Sequence, residues 1–197
     1  AGTGRVETIR KSGFASYDLA PNDLLWFSPG TIHRLVNTDN LEILTIMQNR
    51  GLPEAGDAVL TFDSDVVSDP AKYAAAAALP KMPRGATEKA ARRRRDAAME
   101  GYQRLKDAAL AGDKDELEIF HRAAVQLVRP QVPRWQELWV EAVAPESART
   151  AAWLTELAEG RFGYFADAAV ARSEANRPGE VFGMCGMLQN WDPGSLI

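Results

Sequence analysis

The sequence predicts an α+β protein in which a β-sheet portion (residues 1–62) and a connecting segment (residues 63–85) precede a helical region (residues 86–197). Two observations predict this order. Up to residue 62, short runs of β-branched and aromatic residues recur every ~8–12 residues between turn residues, which is typical of a small antiparallel barrel or sandwich. From Thr87 onward, apolar residues recur at helical spacing instead.

The first portion contains five predicted strands, each bounded by turns rich in Gly, Pro, Asn or Asp. These strands cover residues 6–9, 14–19, 24–27, 33–37 and 41–47. Residues 58–62 are a candidate for one more strand.

A tight turn is predicted at Pro29 and Gly30, because proline presets its own φ and glycine adopts φ > 0 without steric cost. The strand that follows this turn begins at His33. Since side chains alternate along a strand, His33, Leu35 and Asn37 point to one side and their neighbours to the other. We expect Asn37 to fix the end of this strand through a hydrogen bond to backbone.

Proline, glycine and capping residues divide the second half of the chain into helices. We expect one helix to begin at Asp69–Pro70, a second to run from Thr87 to about residue 111, and a third to follow the capping pair Asp113 and Glu116 and end before Pro130. Further helices are expected from Pro133, from Pro145 and over residues 162–175. For the apolar tail, residues 181–191, the pattern favours neither strand nor coil.

Composition limits the classes of function. A hydrophobic content of 46% is that of an ordinary globular protein, and a net charge of −4 gives no global reason to expect nucleic acid. No apolar run approaches the ~20 residues that cross a membrane. One cysteine excludes a disulfide within the chain. We therefore expect a cytoplasmic protein without nucleic-acid or membrane partners.

Residues 22–37 resemble the second conserved motif of the cupin superfamily. That motif reads Gly, five residues, Pro, any residue, Gly, two residues, His, three residues, Asn. The chain keeps Gly30, His33 and Asn37 at this spacing. It departs from the motif at Asn22, where the family has glycine, and at Ser28, where the family has proline. Asparagine tolerates φ > 0, so the first departure is mild.

The resemblance implies a cupin-like jelly-roll barrel and a divalent transition metal (Fe, Mn, Ni, Zn or Cu). His33 would be one of its ligands. The family's first motif, which carries two His and a Glu, would lie before residue 1, so the other ligands would come from outside this segment. Trp26, Phe27, Leu35 and Ile46 are the expected walls of a pocket beside the metal.

Two classes of function follow from the resemblance. The first is a metal-dependent dioxygenase, isomerase or lyase that acts on a small organic molecule. The second is a cupin that binds a small molecule without converting it and uses its helices for oligomerisation or partner contact. In either case we expect a small-molecule ligand and a homodimer.

Other conspicuous residues are interpreted as structural. His121 has no second ligand at helical spacing, and Cys185 has no nearby base to activate it. Four consecutive arginines, residues 92–95, surround a helix rather than line one side, which favours local ion pairs over nucleic-acid binding. Trp135 and Trp139 are expected to anchor helix packing rather than to form a ligand cage.

Overall fold

The structure is a computed structural model that describes residues 1–47, 49, 51–53, 55–79, 84–176, 181–184 and 186–191, and only the backbone of residues 84–86. It is an α+β protein, as predicted. Three strands form an antiparallel sheet in the order β2-β1-β3. Their bounds are Thr3–Arg10 (β1), Gly13–Leu19 (β2) and Ile32–Asp39 (β3). Within the described residues this sheet is open and closes no barrel.

Two of the five predicted strands are absent, since residues 24–27 and 41–47 are irregular where the structure describes them, and so are residues 58–62. Their alternating apolar pattern suits a strand, but a strand also needs a neighbour that completes its backbone ladder. Among the described residues no strand pairs with these segments; Glu42 exchanges two backbone hydrogen bonds with Ala1, both at 2.8 Å, but the pairing extends no further. Several of their side chains are consequently exposed, with Trp26 at 81% and Ile46 at 88% of full exposure.

The strand register divides the side chains of the sheet between two faces. On one face Thr8 pairs with Ala15 and His33, and Val6 pairs with Tyr17 and Leu35. We call this the His33 face; its strand residues are Gly4, Val6, Thr8, Arg10, Gly13, Ala15, Tyr17, Leu19, His33, Leu35 and Asn37. The opposite side is the Glu7 face, with Arg5, Glu7, Ile9, Phe14, Ser16, Asp18, Ile32, Arg34 and Val36. The predicted alternation of β3 is confirmed.

Six α-helices follow within the described residues. They are Ser64–Val67 (α1), Pro70–Ala77 (α2), Arg84–Leu110 (α3), Asp115–Val128 (α4), Val132–Ala142 (α5) and Ala144–Ala158 (α6). Short 3₁₀ turns lie at Arg129–Gln131 and Gly163–Asp167, and Val181–Phe182 (β4) pairs with Met187–Leu188 (β5). No helix in the described chain is both long and apolar enough to cross a bilayer.

Most helix signals in the sequence are confirmed. Asp69 caps α2, accepting hydrogen bonds from the backbone N–H of Ala71 at 2.9 Å and of Lys72 at 3.1 Å. The prolines expected to open α5 and α6 lie in their first turns. Helix α3 begins at Arg84, three residues before the predicted cap Thr87, so the predicted boundary was wrong.

The helix predicted over residues 162–175 is wrong. Only the 3₁₀ turn Gly163–Asp167 forms there, and the rest of this stretch is irregular. Its alanines favour a helix, but Phe162, Phe165 and Val170 are all more than half exposed. A short helix without a buried apolar face is only marginally stable, because most helical stability comes from packing.

The chain forms two compact units, of which the first comprises residues 1–46, 59–129 and 184–186. In this unit α3 packs on the Glu7 face of the sheet, and α1 and α4 pack beside it. Apolar side chains from the sheet and these helices share one core, made of Ile9, Ile32, Phe62, Val67, Ala98, Tyr102, Leu105, Leu117 and Phe120.

The second unit comprises residues 47–58, 130–183 and 187–197. Helices α5 and α6 contact each other within it. Trp135 donates a hydrogen bond from Nε1 to the carbonyl of Ala55 at 3.2 Å, which joins α5 to the distant loop that contains Ala55. Trp139 is half exposed. Of the two tryptophans predicted to anchor packing, Trp135 is therefore the one with a fixed partner.

Candidate functional site on the His33 face

His33 is positioned by the turn that precedes β3. Gly30 has φ = +83°, and the Thr31 N–H donates to the Ser28 carbonyl at 3.3 Å, so the chain reverses as the sequence predicted. Asn22 has φ = +76°, a backbone conformation that glycine adopts freely and asparagine tolerates.

The imidazole of His33 is held by one hydrogen bond and one ring contact. Its Nδ1 lies 3.1 Å from the Thr31 carbonyl, which can only accept, so Nδ1 is assigned as the donor, and in the neutral ring Nε2 is then the nitrogen with the lone pair. The ring of Phe27 lies 4.4 Å from the His33 ring, between centroids. His33 is nevertheless an exposed residue. The described residues thus orient its ring without enclosing it.

Besides Asn37, three polar side chains share the strands of this face with His33. Thr8 lies beside His33 on β1 and is only 3% exposed, and its hydroxyl has no hydrogen-bond partner among the described residues. Arg10 donates from its guanidinium to the Tyr17 hydroxyl at 3.4 Å. Arg10 makes no ion pair with any described residue. On the His33 face, the residues from Gly4 to Arg10 and those paired with them therefore present cationic and hydroxyl groups and no carboxylate.

The other residues predicted from the motif divide into two groups. Asn37 has the structural role expected of it, since its Oδ1 accepts from the Leu41 N–H at 3.0 Å just past the end of β3. Phe27 contacts His33. Leu35 is half-buried and lies two residues after His33 on the same face of β3. Trp26 and Ile46 are almost fully exposed, so the described residues do not bring them into a common wall with Phe27.

His33 can supply one metal ligand, but the described residues supply no complete site. They contain no group of three or more His, Cys, Asp or Glu side chains that could hold a metal ion. Protein metal sites of this kind use three or four such ligands. The side chains present therefore fit a single coordination position, at His33 Nε2.

The residues interpreted as structural mostly have local partners. Arg92 pairs with Glu88 at 2.7 Å and Arg95 with Asp96 at 2.6 Å, as expected for a solvated helix. His121 lies on α4, and its Nε2 is buried without a hydrogen-bond partner among the described residues. Cys185 lies outside the described residues, so its interpretation stays a prediction.

Sequence reasoning missed Thr8, Arg10 and Tyr17. The signal that could have found them is the short run Lys11, Ser12 and Gly13 between the predicted strands 6–9 and 14–19, because a hairpin turn fixes the register of its strands. Counting back from that turn pairs residue 8 with residue 15 and residue 6 with residue 17, which is the observed register. The proximity of Thr8 to His33 depends on β3 pairing with β1, which the turn does not reveal.

Comparison of the chain with known protein families, with curated proteins and with solved structures found no match.

Proposed function

We propose that residues 1–62 are part of a cupin-like antiparallel β-barrel in which His33 supplies one ligand to a divalent transition metal (Fe, Mn, Ni, Zn or Cu). The protein would then be a metal-dependent oxidoreductase of the dioxygenase type, acting on a small organic molecule. The observation that carries this proposal is the state of the imidazole, with Nδ1 bonded to the Thr31 carbonyl at 3.1 Å and Nε2 free. Metal-binding histidines commonly have this arrangement, because the second hydrogen bond orients the ring.

The chain's own part in such a site is to orient and shield one ligand. The Thr31 carbonyl fixes the tautomer of His33, and the Phe27 ring covers part of the imidazole. When bound, the metal would supply Lewis-acid or redox chemistry at its open coordination positions. The other ligands would have to come at least partly from residues outside the described set, since that set contains no group of three or more His, Cys, Asp or Glu side chains that could hold a metal ion.

The alternative is a cupin-like protein that binds a small molecule without converting it, with the helices serving a homodimer or another partner. The absence of a complete set of metal-binding side chains among the described residues favours this alternative, because one imidazole does not hold a metal by itself. His33 would then be a hydrogen-bonding group for the ligand. A cytoplasmic setting suits both versions of the proposal.

Metal content distinguishes the two versions. Protein made from the complete gene, expressed in medium supplemented with all five metals, is analysed by plasma mass spectrometry as wild type, His33→Ala and His121→Ala. His121 is the matched control, since it is the only other histidine and lies on α4. We expect one bound metal in the wild type and in His121→Ala, and loss of the metal in His33→Ala.

Two results would contradict the metalloenzyme. Unchanged metal stoichiometry in His33→Ala would remove His33 from the ligand set. A metal-free wild type would leave the binding protein as the surviving version. Circular dichroism on all three proteins checks that each variant is folded.

A further inference from the structure

The charges of the sheet are distributed unevenly between its two faces. Two strand carboxylates, Glu7 and Asp18, lie on the Glu7 face, where Glu7 pairs with Lys106 and Arg34; the third, Asp39, is the last residue of β3, beyond the register shift at Thr3 and Gly4. Asp18 pairs there with Arg5 at 2.7 Å. The His33 face instead carries Arg10, which has no ion pair among the described residues. The face that contains His33 therefore also presents a cation without an ion-pair partner among the described residues.

Ala15, Thr8 and His33 lie side by side on the three strands of this face. We call them the Thr8 row. Arg10 lies two residues beyond this row on β1, and Tyr17 lies two residues beyond it on β2, on the other side. The guanidinium of Arg10 and the hydroxyl of Tyr17 meet at 3.4 Å, so their side chains converge across the row. A 3.4 Å contact is long for a hydrogen bond. Both groups can consequently exchange it for a better acceptor.

We propose that the His33 face binds the carboxylate of a small organic acid through the Arg10 guanidinium and the Tyr17 hydroxyl. A guanidinium offers two parallel N–H donors that match a carboxylate, and a phenol adds a third donor. The body of the ligand then lies towards His33 and Phe27. Adjacent strands are about 4.8 Å apart, so a ligand reaching from above Ala15 to His33 spans at most about 10 Å.

The hydroxyl of Thr8 is an independent indication of a ligand here. Thr8 is 3% exposed, lies in the same row between Ala15 and His33, and leaves its Oγ1 without a hydrogen-bond partner among the described residues. A buried hydroxyl without a protein partner is costly, so we expect a bound water, ion or ligand to complete it. A carboxylate that displaced the Arg10–Tyr17 contact would bring an acceptor next to this hydroxyl.

This inference rests on the proposed function only in assigning the ligand to the His33 face of the sheet. The carboxylate site itself is tested on protein from which metal has been removed. Benzoate and its uncharged analogue benzamide are titrated into chelator-treated protein and followed by ¹H–¹⁵N NMR. Benzoate is expected to bind at least about tenfold more tightly than benzamide, since a charge-assisted hydrogen bond is stronger than a neutral one. The resonances that shift should belong to the His33 face.

Arg10→Gln should lower the affinity for benzoate about tenfold, to the level of benzamide. Arg10→Lys should give an intermediate affinity, because lysine keeps the positive charge but lacks the two parallel N–H donors of the guanidinium. Arg5→Gln is the matched control, since it makes the same charge change on the same strand but on the Glu7 face. It should leave the affinity for benzoate unchanged. His33→Ala should keep the preference for benzoate even where it abolishes metal binding.

Three results would overturn the carboxylate site. These are equal binding of benzoate and benzamide, an equal loss of affinity in Arg5→Gln and Arg10→Gln, or no binding of benzoate at all. Loss of metal in His33→Ala together with any of them would leave the proposed metal ligand standing while this site fails.

Discussion

The carboxylate of Glu7 on β1 lies 2.9 Å from the ammonium nitrogen of Lys106 on α3, and both side chains are largely buried. The Tyr102 hydroxyl donates to the other carboxylate oxygen at 3.2 Å, and Arg34 approaches that oxygen to 3.4 Å. Burial alone would raise the pKa of Glu7, but Lys106, Tyr102 and Arg34 together lower it below its usual value. This network joins α3 to the Glu7 face of the sheet, the face opposite His33.

Glu7→Gln should destabilise the protein by about 3 kcal/mol, because it removes the anion from a buried pair and leaves Lys106 uncompensated. Urea unfolding followed by circular dichroism measures this difference. Glu88→Gln is the control, since Glu88 forms an exposed pair with Arg92 on α3 and should change stability by less than about 0.5 kcal/mol. Similar losses in the two variants would mean that the Glu7 network contributes no more than a surface ion pair.

The contribution of Glu7 should also depend on pH. Because the folded state lowers the pKa of Glu7 from 4.5, the unfolded state takes up the proton first as the pH falls. The extra stability is therefore fully present above pH 4.5 and is lost as the pH drops through the lower folded-state pKa. The difference in unfolding free energy between wild type and Glu7→Gln should be constant from pH 7 to about 5 and shrink below that. A difference that grows on acidification would contradict the sign of this shift.

Gly101→Ala tests the close approach of α3 to the segment before α1. A Cβ at this position would collide with the Thr61 carbonyl oxygen and lie 2.7 Å from the Phe62 carbonyl carbon. Alanine normally stabilises a helix by up to about 1 kcal/mol relative to glycine, whereas overpacking of this kind costs about 1–3 kcal/mol. We therefore expect a net loss of about 1–2 kcal/mol in urea unfolding.

Gly112→Ala is a useful comparison for that variant. Gly112 has φ = +77°, but an added Cβ meets no described atom within 4 Å. Its cost should come from backbone strain alone, about 1 kcal/mol. If Gly101→Ala instead stabilised the protein, the close packing of α3 on Thr61 and Phe62 would be incorrect.

Local chemistry made much of the sheet predictable. The positive φ of Asn22, the turn at Gly30 and the capping bond of Asn37 each depend on residues within a few positions, which is why the motif indicated them correctly. The cap at Asp69 is local in the same way. His33 on the same face as Leu35 follows from simple alternation.

Relationships over long sequence separations were not predictable. The pairing of Glu7 with Lys106 requires α3 to lie on one particular face of the sheet, and no pattern near either residue specifies this. Residues 24–27 have the composition of a strand but lack a described neighbour to pair with, so local propensity alone predicted them wrongly. The candidate site was predictable at His33 and Phe27, while Arg10 and Tyr17 required the register.

Thr8→Val tests whether the buried hydroxyl beside His33 lacks a partner. Valine has nearly the same shape, suits a strand, and removes the polar atom. If Thr8 Oγ1 is unsatisfied in the free protein, the variant should be more stable by about 1 kcal/mol, whereas Thr8→Ser, which keeps the hydroxyl and loses a methyl group, should be less stable by about 1 kcal/mol. Thermal and urea unfolding of the ligand-free proteins measure both changes. A loss of more than about 1 kcal/mol in Thr8→Val would mean that an ordered water already satisfies the hydroxyl. If Thr8→Val is more stable than the wild type but binds benzoate more weakly, the Thr8 hydroxyl contributes to ligand binding and lowers the stability of the folded protein.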